Sequence, residues 1–233
     1  MDEIKRKRAP SRRSLATRQR IFDAAEQLFA DRGFVGASIR DIAKAAGVQT
    51  ALVNHHGGAK DVFFETVIAR RAQPLSQMRL ENLVRIETDL AVLPADAAVR
   101  AILAAFIRPF LQLAEADLGW RAYARLVAQV SSDVRWAGLA ATYFDPTAKR
   151  FFATLKNRFP DAPPMAVSEG FVYTVSAMLA LSTSRWRIAA LAGAPVPEAE
   201  TIGLEGLLAY AEAGYLALLT NGSCDSAGAF SPQ

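Results

Sequence analysis

SIRDIAKAAGVQTALVNHH, residues Ser38 to His56, decides the fold, because it reads as two short helices joined by a tight turn. Ser38 and Asp41, three residues apart, form a capping pair in which a hydroxyl and a carboxylate satisfy the orphan N–H groups that open a helix. Ile39, Ile42, Ala43 and Ala46 then recur at helical spacing and give that helix one apolar side. Gly47 stands where the chain must turn, since it alone takes a left-handed conformation without steric cost, and Val48 after it plugs the angle between the helices. A second helix follows from about Gln49. Its Leu52 and Val53 face inward, which leaves Gln49, Thr50, Ala51, Asn54 and His55 outside as a short, mostly polar row able to meet base edges. The pattern is a helix-turn-helix. An αα-hairpin in any helical domain shares the spacing, so the surrounding chain has to decide.

On the N-terminal side, a helix starting between Ser14 and Thr17 and running to Asp31 is predicted from the stripe of Ile21, Ala24, Ala25, Leu28 and Phe29. Gly33 ends it, and Phe34 and Val35 fill the gap before Ser38. Residues 1–13, MDEIKRKRAPSRR, carry six basic side chains and almost nothing to bury, which predicts an unfolded arm. Such an arm is either a solvated tail or a source of extra phosphate contacts. On the C-terminal side, Gly57 and Gly58 break the second helix. A long helix restarts near Lys60 with Val62, Phe63, Val67 and Ile68 apolar, and it links two domains. Lys60 sits at its start, where free N–H groups and the helix dipole favour an anion, although a solvated lysine has the same spacing.

The charge distribution agrees with this layout. The net charge is +4, but residues 1–60 carry +6 and the rest −2, so a basic end sits on a mildly acidic body and suits a polyanion. The 233 residues, 52% of them hydrophobic and 21% charged, suffice for one large or two small domains with real cores. The one cysteine, Cys224, lies in a polar tail, which leaves neither a disulfide framework nor a thiolate metal site. A reducing cytoplasm is the expected compartment. The longest uninterrupted apolar run, near Phe171 to Leu181, falls short of the roughly 20 residues that span a bilayer, so no membrane association is expected. No apolar stretch follows the N-terminal charges, so no signal peptide is read there.

Beyond residue 70 no strand pattern occurs. Helices are predicted over about 75–88, 95–115, 118–131, 134–158, 163–191 and 197–220, with prolines at most of their ends. Pro109 and Pro146 fall inside two of them and should kink or split each. The tail after Asn221 is mainly Gly, Ser and Ala and is expected to be disordered. In the last helix Ala199, Gly203, Gly206, Ala213 and Gly214 place small residues at close to helical spacing, which is tolerable only where another backbone comes near. Together with Tyr210 these glycines and Ala213 are the candidate dimerisation residues, the helices 163–191 and 197–220 pairing with their two-fold mates. Close packing inside one subunit is the alternative.

The stretch TRQRIFDAAEQLFADRGFVGASIRDIAKAAGVQTALVNHHGGAKDVFFETVIARR, residues 17–71, resembles the N-terminal domain of TetR-type transcriptional repressors. The features that carry the likeness are the basic start, the LF-x3-G-F pair, IA-x2-AGV, and a helix ending in His before a lysine. The remainder is similar, through RRAQPLSQMRLENL, FIRPFLQLA and FFATLKNRFP, to the branch that includes fatty-acid-responsive regulators. The resemblance implies an all-α fold, an N-terminal three-helix helix-turn-helix domain joined to a larger helical ligand-binding and dimerisation domain. The expected boundaries are 1–13 for the arm, 14–60 for the DNA-binding domain, 61–220 for the effector and dimerisation domain, and 221–233 for the tail.

It also implies roles. Gln49, Thr50, Ala51, Asn54 and His55 read the major groove of double-stranded DNA, while Arg40, His56 and Lys60 hold phosphates. The effector pocket is expected to draw on the large side chains of the C-terminal domain, namely Phe106, Phe110, Trp120, Tyr123, Arg125, Trp136, Phe144, Phe171 and Met178, and to suit a small hydrophobic effector such as a fatty acid or acyl-thioester. Arg108, Arg121, Arg125 and Arg150 are candidates for a head group, if they do not simply snorkel to the surface.

Three positions depart from the family pattern. His55, His56, Gly57, Gly58, Ala59 and Lys60 stand where the family has an aromatic, His, an aromatic, Gly, Ser and Lys. An aromatic is therefore missing at Gly57, a cap worth about 1 kcal/mol is missing at Ala59, and Gln49 replaces a serine cap. A softer junction after the reading helix is the expected result.

The sequence thus predicts a homodimeric, ligand-responsive repressor that binds a palindromic operator and is released by a hydrophobic effector. The alternative is a helical protein-interaction module with a degenerate DNA-binding motif. No enzyme is expected, because there is no G-x-S-x-G elbow, GGAK lacks P-loop spacing, and His55 and His56 have no triad partners. The same two histidines, without a carboxylate or thiol cluster, give no metal site, and no cofactor is implied.

Overall fold

The computed structural model describes residues 11–193 and 203–221. The expected basic arm and C-terminal tail, together with Ala199 and Cys224, therefore lie largely or wholly outside the described residues. The chain divides into two units, residues 1–67 and 68–233. Among the described residues the regular elements are helices only.

In the first unit, α1 (Arg12–Gly36) starts two residues inside the expected arm, because Ser11 in extended conformation caps it, its hydroxyl accepting from Ser14 N–H. Gly33 interrupts the helical run at φ 69° and ψ 174°, a turn for which an L side chain is strained. The last residues to Gly36 form a separate short turn. α2 (Ile39–Ala46) opens on the predicted capping box. The Ser38 hydroxyl accepts from Asp41 N–H at 3.1 Å, while Ser38 N–H donates to the Asp41 carboxylate at 3.3 Å. The Ser38 hydroxyl also donates to the Asp41 carboxylate at 2.6 Å, and this bond, with that from Ser38 N–H, holds the Asp41 carboxyl below its ordinary pKa, Arg32 and Lys44 assisting. Gly47 closes α2 in the left-handed region, φ 63° and ψ 41°, and α3 (Thr50–Gly57) follows. Phe22 and Phe29 of α1 meet Phe63 and Phe64 of α4 (Lys60–Glu87) edge-on at 5.0 Å, and Phe34 joins at 5.2 Å. Each aromatic pair adds about 1 kcal/mol beyond its buried area. Ile42 and Val53, both fully buried, fasten α2 and α3 to this cluster.

Instead of a separate helix at 75–88, α4 runs unbroken through Pro74. The proline is on the solvent side, where the carbonyl that loses its partner can be hydrated.

The second unit is built around α5 (Ala95–Ala116), which packs against α6 (Leu118–Ser131), α8 (Asp145–Arg158), α9 (Pro164–Thr183) and α11 (Leu204–Asn221). Pro109 lies within α5 without ending it. The predicted helix 134–158 is divided into a 3-10 turn (Val134–Trp136), α7 (Ala137–Tyr143) and α8. Pro146 falls in the first turn of α8, where its missing N–H has no helical acceptor to lose.

The predicted helix 163–191 also divides, into α9 and α10 (Arg185–Ala192), at Ser184 with φ −128° and ψ 25°. Just before the break the hydroxyls of Ser182 and Thr183 bond the carbonyls of Met178 and Leu179, competing with the backbone ladder. By length and composition α5 and α9 could each cross a membrane, which counting uninterrupted apolar runs missed. Here the apolar stretch of α5 is 61% buried and forms the centre of the unit's core.

Candidate DNA-reading helix and effector cavity

α3 is held from beneath and bare above. Val53 and Gly57 are buried, while Gln49, Thr50, Ala51, Asn54 and His55 are exposed, so all five expected reading residues are open to solvent. Gln49 makes no side-chain cap, which leaves the first N–H groups of α3 available to an anion.

Basic side chains border this helix. One groove beside Gln49 and Ala51 is lined by Arg13, Arg20 and Lys44, and another beside Thr50 by Arg40 and Lys44. Arg13, Arg20 and Lys44 were not among the expected phosphate holders. Their signal was present: Arg13, Thr17 and Arg20 fall four and three apart on one side of α1, and Arg40 and Lys44 four apart on α2.

Two expected phosphate holders are engaged otherwise. The Lys60 ammonium donates to Val35 O at 3.4 Å and lies 4.6 Å from the centre of the Phe34 ring, which pins the end of α1 to the start of α4. His56 is half-buried against His55, their rings 5.1 Å apart. Burial lowers its pKa, and the neighbouring His55 and Arg18 lower it further. At Gly57 the ring of Phe63 occupies the space a side chain would take.

The second unit contains a cavity of about 420 Å³ between α4, α5, α6, α7, α8 and α9. Six expected residues line it: Phe106, Phe110, Tyr123, Phe144, Phe171 and Met178. Trp120, Arg125 and Trp136 do not. Trp120 stands behind Tyr123, edge-on at 5.6 Å, and its ring is covered by Arg71 at 4.8 Å. Arg125 is two residues from Tyr123, a spacing that turns it to another side of α6, and Trp136 belongs to the turn before α7.

The head-group arginines are also elsewhere. Arg108 pairs with Glu205 at 2.9 Å, Arg150 with Glu87 at 2.5 Å, and Arg121 donates to Ala114 O and Glu115 O.

Two cations line the cavity, the exposed Lys149 of α8 and Arg79 of α4. Arg79 Nε donates to Phe106 O at 2.8 Å, Nη2 points at Met178 Sδ at 3.7 Å, and Cζ lies 3.6 Å from the centre of the Phe106 ring. Burial pushes its pKa down to about 9. The ring and carbonyl offset part of that desolvation, a cation–π contact away from water being worth about 2 kcal/mol. Sequence reading missed Arg79, although Leu75, Arg79 and Leu83 are four apart and both leucines are buried. A charge inside an apolar stripe was the available signal.

α11 presents Gly206, Tyr210, Ala213 and Gly214 to solvent, with Tyr210 72% exposed. Tyr173 and Val172 of α9 are exposed too, and a groove between the two helices is lined by Tyr173, Tyr210, Gly214 and Leu218. Gly203 differs from the other candidates. Its φ is 92° and a Cβ there would lie 2.8 Å from Leu181, so it serves packing within the subunit. Gly170 does the same under Tyr215, whose hydroxyl donates to Val167 O at 2.9 Å. Among the described residues no group of three or more His, Cys, Asp and Glu side chains comes together to hold a metal.

Two family models match the chain. Residues 21–67 match the family model of bacterial regulatory proteins of the tetR family, and residues 104–214 match that of the tetracyclin repressor-like C-terminal domain. The transcriptional repressor AcnR of Corynebacterium efficiens is 32% identical over 73 residues, 30% of this chain and 39% of AcnR. The transcriptional regulator TtgW of Pseudomonas putida is 41% identical over 59 residues, 25% of this chain and 44% of TtgW. The chain therefore matches less than half the length of either relative.

Among solved structures, a tetR-family regulator from Shewanella superposes with a TM-score of 0.57 at 17% identity, over 88% of this chain and 96% of that one. GusR of Salmonella enterica gives 0.53 at 21% identity, over 88% and 96%. At such identities the likeness is one of fold.

Proposed function

We propose that this chain, which belongs to the TetR family of bacterial regulatory proteins, is a homodimeric repressor that reads a palindromic operator with α3 and leaves it when a small hydrophobic effector fills the cavity of the second unit. The observation that carries this is the exposure of Gln49, Thr50, Ala51, Asn54 and His55, on a helix seated on buried Val53 and bordered by Arg13, Arg20, Arg40 and Lys44. Asn54 and Gln49 bond adenine edges bidentately, Thr50 and Ala51 touch thymine methyls or backbone, and the basic rim neutralises phosphate. His56 adds a hydrogen bond. Repression, rather than activation, is supported by the name that AcnR carries.

The dimer is assigned to α9 and α11 through Tyr173, Tyr210, Ala213 and Gly214, with Gly206 leaving room for a second backbone. Such a dimer sets its two reading helices about one DNA turn apart. Coupling is assigned to α4, a single helix that carries Lys60 and Phe63 in its first turn and Arg79 in the cavity wall. A ligand that favours one position of that helix changes the spacing of the reading heads, and with it the fit to half-sites. The chromosome places this work in the cytoplasm. The interaction-module alternative rested on the changes at Gly57 and Ala59, and the Phe63 ring packed over Gly57 speaks against the first of these.

Fluorescence anisotropy against DNA from upstream of the chain's own gene, with excess unrelated DNA as competitor, tests the reading. Binding that survives the competitor is expected. If no genomic fragment outcompetes unrelated DNA, even after genome-wide selection, the reading is wrong.

A further inference from the structure

We propose that the cavity takes an anionic amphiphile, an acid head group on an apolar body, and that Arg79 receives the acid. This rests on the reading of the cavity as the effector site. The wall is aromatic and aliphatic for most of its extent, with Phe106, Phe110, Phe144 and Phe171 around the space. Its charged members are Arg79, Lys149 and Asp145, a balance of one positive charge.

Arg79 differs from the carboxylate-paired arginines of this unit, and from Arg121 and Arg158, which donate to backbone carbonyls away from the cavity lining. Arg100 is paired with Glu205 and Glu212, Arg108 with Glu205, Arg135 with Asp133, Arg150 with Glu87 and Arg185 with Glu115. Arg79 instead has a carbonyl, a thioether sulfur and a ring face, and among the described residues it makes no ion pair with a carboxylate. One strong acceptor therefore serves a group with five N–H donors in a fixed planar fork. That fork matches the two oxygens of a carboxylate or phosphate, and a guanidinium removed from water gains most from such a partner.

Ser76 lies one turn earlier on α4 and also lines the cavity, so its hydroxyl is placed to bond the same head group. A neutral amphiphile would leave the guanidinium without a counter-charge, and a cationic one would be repelled by it. Because Arg79 belongs to α4, the acid would bind directly to the helix assigned to coupling.

Calorimetric titration of the full chain with decanoate, decyl phosphate, decanol and decylammonium tests the assignment. One of the two acids should bind about tenfold or more tighter than decanol, as a charge-assisted bond in place of none implies, and decylammonium should bind most weakly. The tighter acid identifies the head group. Arg79→Gln should bring that acid down to the level of decanol, and Arg79→Lys should retain part of the preference.

Wild-type protein that binds decanol as tightly as both acids would overturn the assignment of Arg79 while leaving the effector cavity standing. An acid preference that persists in folded Arg79→Gln would do the same. Should none of the four bind, and none displace Nile red from the protein, the cavity itself would not be the effector site. If Arg79→Gln does not fold, the wild-type head-group series and Arg79→Lys decide the question.

Discussion

Gly57 and Phe63 share one space: a Cβ built on the buried Gly57 would lie 2.6 Å from Cγ of Phe63. The ring that fills the junction after the reading helix therefore comes from the first turn of α4, not from α3. Gly57→Ala should destabilise the protein by about 1–3 kcal/mol through overpacking, and Phe63→Ala by about 3–5 kcal/mol through the cavity it leaves. Urea unfolding of the two single variants and of Gly57→Ala/Phe63→Ala should show strong non-additivity, the alanine at 57 costing little once the ring is gone. Additive losses would mean that the two residues do not compete for one volume.

The reading residues and their basic rim should separate experimentally. Asn54→Ala should lower preference for operator over random DNA, by about 1–3 kcal/mol for a lost base contact. Lys44→Ala should weaken all DNA about equally and reduce the salt slope by about one. Anisotropy titrations at two or more salt concentrations check both, and equal losses of preference from the two variants would refute the division of roles.

Ser38→Ala removes the cap of α2 and should cost about 1 kcal/mol at neutral pH. The pH dependence has a definite sign. Ser38 holds the Asp41 carboxyl below its ordinary value of 3.8, so this contribution is full above that pH and is lost as pH falls through the lowered value. Unfolding followed from pH 7 to pH 2 should therefore show a shallower acid loss for the variant, and parallel curves would contradict the role of the capping box.

Tyr210→Glu sets a charge on the exposed face of α11, where Gly214 leaves space for a neighbour. Sedimentation should show wild-type dimer and variant monomer, each with the same helical content. A variant that stays dimeric would move the interface elsewhere.

What was legible in the sequence was local. Ser38 with Asp41, and Gly47 after them, announce helix ends through chemistry that acts over three or four residues, and those boundaries match the structure. The division at Ser184 was less visible, because three consecutive hydroxyl residues weaken a helix without forbidding it. The cavity was partly legible, since large aromatic residues in one helical domain converge on few spaces, yet Trp120 and Arg79 exchanged expected places. Arginines were sought beside aromatics in the chain, whereas Phe106 reaches Arg79 from 27 residues away. The contacts of Lys60 were hidden for a related reason. Its partners, Val35 and Phe34, meet it only after α1 has turned at Gly33.

The most direct test of the account is operator affinity measured by anisotropy with and without a saturating concentration of whichever amphiphile calorimetry shows to bind. Bound ligand should weaken operator binding by about tenfold or more, within the usual range of coupling between two sites, and Arg79→Gln should no longer respond to the acid. Equal operator affinity with the ligand demonstrably bound would contradict the account.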